Sequence, residues 1–378
     1  MRILLITNLY PPHGRGGAEI VVAQEARDLR DQGHEVTVLT TRPFSGVSSL
    51  APRTSVEDGI SVYRYFPLNI FWYRNDYKHS PPVRFLWHII DTLNIHAWFV
   101  VRRFLRRMKP DEVHTHNLKG IGITTAVAVR AFVTKQRAVK TLRPAMRWIH
   151  LLHDVQLVTP SGLLVAGKER VWQHTGILTR VYRAVCRRLI GSPPIVRAPS
   201  QWVWEQHRAY GFFQTSAFEK VVWYTPGAAL LASWHPTRPL RFLFVGQLAP
   251  HKGILFLLDV IKTLPGGACI LNVVGDGPLM DAVREQARDM PWVHIHGRLS
   301  LQRVKELFKE TDCLLFPSLA HENCPTIIVE ALRQGIPVLA SRVGGVPEIV
   351  QDGVNGWLVE AGDGDAWRAA LTRLAVAQ

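Results

Sequence analysis

Short apolar runs bounded by glycine, proline or asparagine alternate along this chain with longer stretches in which apolar side chains recur every three or four residues. Strands that alternate with helices in this way build a mainly parallel sheet covered on both faces. Runs at 2–7 (RILLIT), 35–40 (EVTVLT), 112–114, 148–152 and 195–198 predict the strands of a first sheet. A stretch rich in Pro, Gly and Ala around 225–238 interrupts the rhythm, which restarts at 241–246 (RFLFVG), 269–274 (CILNVV), 293–295, 313–316 (CLLF) and 337–340. The pattern predicts two α/β domains, 1–225 and 239–378, joined by a linker at 226–238. They share an architecture and no repeated sequence.

Two helices of the first domain stand apart. A single helix is predicted over 84–109, with Leu86, Ile90, Leu93, Ala97, Val101, Phe104 and Met108 on one stripe and Arg102, Arg103, Arg106, Arg107 and Lys109 clustered at its end. A second, at 177–190, carries Arg180, Arg183, Arg187 and Arg188. Each reads as a core-facing stripe with a solvated basic back, or as a surface that meets an anionic membrane.

Composition narrows the class. The 378 residues suit two domains, and 47% hydrophobic with 20% charged residues excludes a disordered chain. No run of about 18 apolar residues occurs, which excludes a spanning helix. The opening MRILLITNLYPP has a four-residue apolar run, too short for a secretory signal. Cys186, Cys269, Cys313 and Cys324 are scattered and form neither a disulfide framework nor a metal knuckle, so a cytoplasmic location is expected. The net charge of +15 is divided unevenly: residues 1–240 hold 32 basic and 15 acidic side chains, residues 241–378 hold 13 and 15. Nine of the twelve tryptophans lie in the basic part. Membrane, nucleic acid and plain solvated surface all fit that excess, but no zinc finger, RNP-like run or recognition helix favours nucleic acid.

Three places could carry chemistry. Gly14, Gly16 and Gly17 fill the turn between the first strand and the first helix, where backbone amides can approach an anion, although a purely structural turn fits as well. Lys252 lies in the loop after the strand ending at Gly246, at the edge where doubly wound sheets bind ligands; a lone loop lysine is also commonly just solvated. Glu322 precedes a helix that Pro325 starts and Gly335 ends, and Glu330 lies about 7–8 Å further along its axis. Such a pair can touch different parts of an extended ligand or be two unrelated surface acids.

The spacing of Glu322 and Glu330, followed by ALRQGIPVLASRVGGVPEIVQDGVNGWLVEAGD, resembles the family 4 retaining glycosyltransferases of the GT-B fold. The resemblance continues through GGAE, PDEVHTHN at 110–117, HD at 153–154, APS at 198–200, VGQLAPHKG at 245–253 and VVGDGP at 273–278. It implies two Rossmann-like doubly wound domains facing a cleft, the first for the acceptor and the second for a nucleotide-sugar donor. It also implies a transferase of the hexosyltransferase type that needs no cofactor or metal. Carried over by position, Lys252 would contact the donor diphosphate and Glu330 the ribose. Glu322, with the amides of Asn323, Cys324 and Thr326, would hold the donor sugar. Gly16 and Gly17 would approach the phosphates, and His153 would face the donor sugar. His116 and Asn117 are acceptor-side candidates; His114 serves equally as a satisfied core histidine.

The sequence departs from the family pattern in three places. Gln247 stands where an arginine is usual, which either leaves more of the phosphate charge to Lys252 or lowers donor affinity. YTPGA at 224–228 replaces the usual Asn-Gly turn, and the C-terminal crossover helix is expected to be short or missing. DGD at 363–365 reads as a helix cap rather than a metal triplet, and His294 with His296 makes no ligand set. The expected activity is transfer of a sugar to a hydroxyl of a glycan or lipid-linked acceptor in cell-surface polysaccharide or glycolipid synthesis, by a protein peripheral on the inner face of the cytoplasmic membrane. A sugar-nucleotide epimerase or hydrolase of the same fold is the alternative; nucleic-acid binding ranks last.

Overall fold

The computed structural model describes residues 1–14, 16–138, 146–169, 171–222 and 230–376. The YTPGA segment and the first part of the expected linker, 226–229, lie outside them. By its contacts the chain forms two compact units. The first comprises Met1–Gly162, Val171–Pro199 and Val203–Val221; the second comprises Leu163–Arg170, Ser200–Trp202 and Val222–Gln378.

The first unit is built on eight strands: β1 (Arg2–Ile6), β2 (Glu35–Thr41), β3 (Arg53–Glu57), β4 (Ile60–Tyr65), β5 (Glu112–Thr115), β6 (Arg147–Leu151), β7 (Ile195–Ala198) and β8 (Ala217–Lys220). Their order is β3-β4-β2-β1-β5-β6-β7-β8, parallel except for the β3–β4 hairpin. The sheet thus changes winding direction between β1 and β5, where Leu5 pairs with His114 and Ile6 with Thr115. Helix α1 (Gly17–Asp31) covers one face, burying Val22, Ala23 and Ala26 against Ile3, Leu5, Val36 and Val38. The sequence pattern predicts β1, β2, β5, β6 and β7, which carry apolar runs; it misses the polar, mostly exposed edge strands β3 and β8 and the interior strand β4, whose ISVYRY alternates apolar with polar residues.

The helix expected over 84–109 is two helices, α2 (Pro81–Thr92) and α3 (Ile95–Met108). Asn94 breaks it: its side-chain oxygen accepts from the amide of Ala97 at 2.8 Å, the geometry of an N-cap, and its amide nitrogen donates to the Leu68 carbonyl at 3.0 Å. The break turns the stripe over. Leu86 and Leu93 are 51% exposed, whereas α2 buries Trp87 and Asp91 and α3 buries Ala97, Val101, Phe104 and Leu105. Three more helices follow α3: α4 (Thr124–Ala138), a single turn α5 (Trp172–Thr175) and α6 (Ile177–Ile190), the last with the bounds its periodicity predicts.

The second unit holds β9 (Leu240–Val245), β10 (Cys269–Val274), β11 (Val293–Gly297), β12 (Cys313–Phe316), β13 (Val338–Ser341) and β14 (Gly356–Val359). All are parallel, in the order β11-β10-β9-β12-β13-β14, the doubly wound arrangement whose switch point falls between β9 and β12. Its core includes Phe242, Leu257, Leu258, Leu271 and Trp367, all fully buried. Gln201 and Trp202 begin helix α7 (Gln201–Ala209), and their amides donate to the Glu348 carboxylate at 2.8 and 2.9 Å, an acid at a helix start. Among the described residues no helix is long and apolar enough to cross a membrane.

Candidate active site

In the second unit the polar groups collect at the switch point. Lys252 ends a single 3₁₀ turn, Pro250–Lys252, after β9. Gly253 follows with φ +72°, and a Cβ there would lie 2.0 Å from the carbonyl oxygen of Pro317, so only glycine lets this loop press against the one after β12. That approach brings the Lys252 ammonium to 2.5 Å from Oε1 of Glu322, with Ser318 Oγ 3.2 Å from the same oxygen. The two charged side chains are about one-quarter and one-fifth exposed (24% and 20%), so solvent reaches the pair. Lys252 is therefore not a free cation here; an incoming anion competes with Glu322 for it.

The Glu322 loop is fixed from beneath. Gly345 donates its amide to the Glu322 carbonyl at 2.8 Å, and at Gly344 (φ +56°) a Cβ would sit 2.1 Å from that carbonyl. The VGG sequence is thus a backbone platform for Glu322 and Asn323. His321 accepts from the Gly344 amide at 3.0 Å through Nδ1, pairs through Nε2 with Glu169 at 2.7 Å, and stacks on Trp202. Asn323 is buried and accepts from Ser200 Oγ at 2.5 Å. Helix α8 (Thr326–Arg333) follows, with Pro325 as its N-cap and Cys324 half-buried just before it. The first amides of any helix lack intrahelical acceptors, so Thr326 presents its N–H at the helix mouth. Glu330 lies half-buried on the same helix, and burial raises its carboxyl pKa against the opposing pull of Lys305 and Arg333. Gln247 is exposed.

In the first unit the corresponding edge is lined by histidines. The side chains of Glu112, His114 and His116 follow one another at every second position along β5 and just past it, and so face one way. His116 Nδ1 lies 3.0 Å from His153 Nε2, which follows β6. A cavity of about 20 Å³, room for one water, is lined by His116, Asn117, Lys119, His153, Asp154 and Gln156. Burial pushes His153 down to about 4 and Asp154 up to about 6, so at neutral pH the imidazole carries no charge. Lys119 is buried and donates to the Pro160 carbonyl at 2.7 Å. At the turn before α1, Gly16 is the N-cap and Gly17 the first helical residue; Glu19 Oε2 accepts from the Gly16 amide at 2.9 Å and so already occupies the helix start.

Two participants escape a reading of the sequence. Lys119 is an ordinary loop lysine until the fold buries it. Glu25 did leave a signal, a charge on the apolar face of α1 beside Val22 and Ala26. His114 is a core histidine, buried as that reading held, yet it bridges two carboxylates: Nδ1 to Glu25 at 2.5 Å and Nε2 to Glu112 at 2.6 Å. Burial works against its charge, but the hydrogen bonds to Glu112 and Glu25 outweigh burial and raise its pKa.

Two Rossmann-like units, each gathering polar side chains where its strand order reverses, are the architecture of the GT-B glycosyltransferases. Residues 16–217, more than half of the chain, match the family described as Glycosyl transferase 4-like domain, and residues 239–376 match Glycosyl transferases group 1. The chain belongs to this glycosyltransferase family and is a sugar-transferring enzyme. It is 25% identical over 357 residues to an uncharacterised 42.6 kDa protein of the cps region of Klebsiella pneumoniae, covering 92% of this chain and 87% of that one. It is 31% identical over 147 residues to the amylovoran biosynthesis glycosyltransferase AmsK of Erwinia amylovora, covering 36% of each. Its fold is similar to that of Anabaena HepE in complex with UDP-glucose, with a TM-score of 0.63 and 18% identity over 99% of this chain and 90% of that one.

Proposed function

We propose that the enzyme transfers a sugar, with retention of configuration, from a nucleotide-sugar donor to a hydroxyl of a glycan or lipid-linked acceptor in cell-surface polysaccharide or glycolipid synthesis. The observation that carries the donor site is the Lys252–Glu322 pair at the β9/β12 switch point. The UDP-glucose complex of HepE and the polysaccharide role in AmsK's name support the donor and acceptor classes.

In this reading the donor diphosphate takes Lys252 from Glu322, and the released carboxylate turns to the sugar hydroxyls. Asn323, Cys324 and Thr326 line the sugar at the α8 mouth, and Glu330 binds the ribose. Gln247, Gly16 and Gly17 approach the phosphates. The acceptor oxygen bonds to the anomeric carbon as the bond from that carbon to the diphosphate oxygen breaks, and the proton passes to the departing diphosphate. Lys252 and the helix amides stabilise the negative charge that gathers there without reorganising. No side-chain nucleophile and no metal is required. His153 meets the donor sugar, and His116 with Asn117 lines the acceptor side.

The protein works in the cytoplasm, peripheral on the inner membrane face. Phe85, Leu86 and Ile89 on α2, and Ile177, Leu178 and Val181 on α6, are exposed apolar side chains among arginines, which suits an anionic lipid surface. A thermal-shift series with UDP-, GDP- and ADP-sugars tests the donor site, because a ligand of the folded state raises its stability. One nucleotide should stabilise the wild type and not Lys252→Ala; stabilisation of both alike refutes the site.

A further inference from the structure

Residues 163–169 fall between β6 and α5 in sequence, yet their contacts belong to the second unit. They pair with the loop that carries Glu322 as one short antiparallel rung: the Ala166 amide donates to the Leu319 carbonyl at 2.9 Å, and the His321 amide donates to the Leu164 carbonyl at 2.7 Å. Leu164 is buried there, and Ala166 packs on the core formed by β12, β13 and α8. Past Ala166 the segment turns, with Gly167 at φ +74° and the Lys168 amide donating back to the Val165 carbonyl at 3.0 Å. The turn brings Glu169 to the same loop. Its Oε1 accepts from the Gly167 amide at 2.9 Å and lies 2.7 Å from Nε2 of His321, so one oxygen both closes the turn and ties it down.

His321 is the joint. Its Nδ1 accepts from the Gly344 amide at 3.0 Å, which places the ring proton on Nε2, where it is donated to Glu169. The ring thus links residues 163–169, the Glu322 loop and the VGG platform, with Trp202 stacked on it. Burial works against the Glu169 carboxylate, but hydrogen bonds from His321 and from the amides of Glu169 and Gly167 outweigh it and lower its pKa. The side chains of Glu169 and His321 are 43% and 18% exposed, and a pair this wet adds little stability. What it does fix is orientation. Glu322 follows His321 directly, and its carbonyl accepts from the Gly345 amide, so its backbone is held from both sides. When a diphosphate takes Lys252, the Glu322 carboxylate must swing while that backbone stays in place; a loop that had to be ordered at that moment would subtract from binding.

We infer that residues 163–169 are a strap belonging to the donor site, and that Glu169 is a positioning residue for Glu322: through His321 it fixes the backbone from which the Glu322 carboxylate swings between Lys252 and the donor. This rests on the reading of Glu322 as a donor ligand.

Hydrogen–deuterium exchange of the ligand-free protein, read by peptide mass spectrometry, tests the strap without any donor. Glu169→Ala should quicken exchange about fivefold, the worth of one hydrogen bond, in peptides covering 319–323 and 343–345, and leave β9 and β10 unchanged. Glu169→Gln keeps an acceptor oxygen for His321 and Gly167 and should behave as wild type. Unchanged exchange in Glu169→Ala, or quickening throughout the second unit, overturns the strap. Calorimetry with UDP-, GDP- and ADP-glucose then tests its role. The donor that the wild type binds should bind Glu169→Ala about fivefold more weakly and Glu169→Gln normally. In a Glu322→Ala background the change at Glu169 should cost nothing further, whereas a loss that does not pass through Glu322 would add. Quickened exchange with unchanged donor affinity overturns the positioning role. If Glu322→Ala alone keeps wild-type affinity, the failure is that of Glu322 as a donor ligand, and the exchange result still decides the strap.

Discussion

The two units share a sheet order and differ in how they handle charge. In both, winding reverses between the first strand and its later neighbour, β1 and β5 in one, β9 and β12 in the other, and polar side chains collect there. In the second unit the groups are opposite charges within reach of solvent, held by backbone packed on backbone. In the first they are neutral imidazoles backed by a charged cluster under a helix. On the proposed function, the second unit can leave its charges wet because a diphosphate would supply the strong field, whereas the first unit carries its electrostatics internally.

The contrast breaks most visibly at glycine. Gly253→Ala forces a Cβ to 2.0 Å from the Pro317 carbonyl at φ +72° and should cost about 3 kcal/mol or more, seen as a fall in Tm of several degrees. At Gly16 the nearest atom to an added Cβ is 3.9 Å away and φ is extended, so Gly16→Ala should cost about 1 kcal/mol or less, the loss of a favourable cap residue. Equal costs would remove the distinction between a packed platform and an open turn.

Removing one ion from each cluster comes next. His114→Leu leaves two buried carboxylates facing each other and should destabilise by about 3–5 kcal/mol in urea denaturation, while the triple replacement Glu25→Leu, Glu112→Leu, His114→Leu should recover most of that. Lys252→Met removes a half-wet partner and should cost under about 1 kcal/mol of stability, yet weaken donor binding roughly a hundredfold by calorimetry. The pH dependence separates them further. His114 has a raised pKa, so its contribution is complete below its unfolded value of 6.5 and is lost as pH rises through the folded one. Glu25 contributes fully above 4.5 and loses that contribution as pH falls toward about 2. His88, His116, His150, His153 and His207, all held down by burial, lose stability in acid, so the difference between wild type and His114→Leu isolates the opposite trend. A difference that grows with rising pH above 6.5 would show that His114 is not the buried cation.

How much was legible follows the same division. Most core strands announced themselves because strands buried on both faces read as unbroken apolar runs; β3 and β8 are polar and silent, the interior strand β4 alternates apolar with polar residues, and the four-residue β14 is too short to stand out. Lys252, Glu322 and the VGG platform lie in contiguous motifs, since a loop that packs backbone on backbone demands glycine at fixed positions. The histidine chain is assembled from α1, β5 and the ends of two strands, with Glu25 and His114 89 positions apart, and no local pattern reports a contact that distant. The apolar spacing over 84–109 predicts one helix where there are two, because a periodic stripe on paper survives a change of axis. Asn94, a residue that favours caps, was the only mark of the break.

The smallest effect on stability belongs to the surface that the break exposes. Phe85, Leu86 and Ile89 are 51%, 51% and 45% exposed on α2, so replacing all three by serine should change stability by no more than about 0.5 kcal/mol per site. The arginines at 102, 103, 106 and 107 sit one helix later, on α3, with Arg102 also lying over the Trp98 ring. If lipid is held by both helices, the two sets fail differently in sedimentation with anionic vesicles. Loss of the α2 apolar trio should lower binding at every salt concentration, because burial of hydrocarbon is not screened. Loss of the arginines should lower it at low salt and matter little near 0.5 M, where the screening length falls to about 4 Å. Binding that ignores the apolar trio and tracks the arginines alone would reduce the membrane contact to diffuse electrostatics and leave the exposed face of α2 without that role.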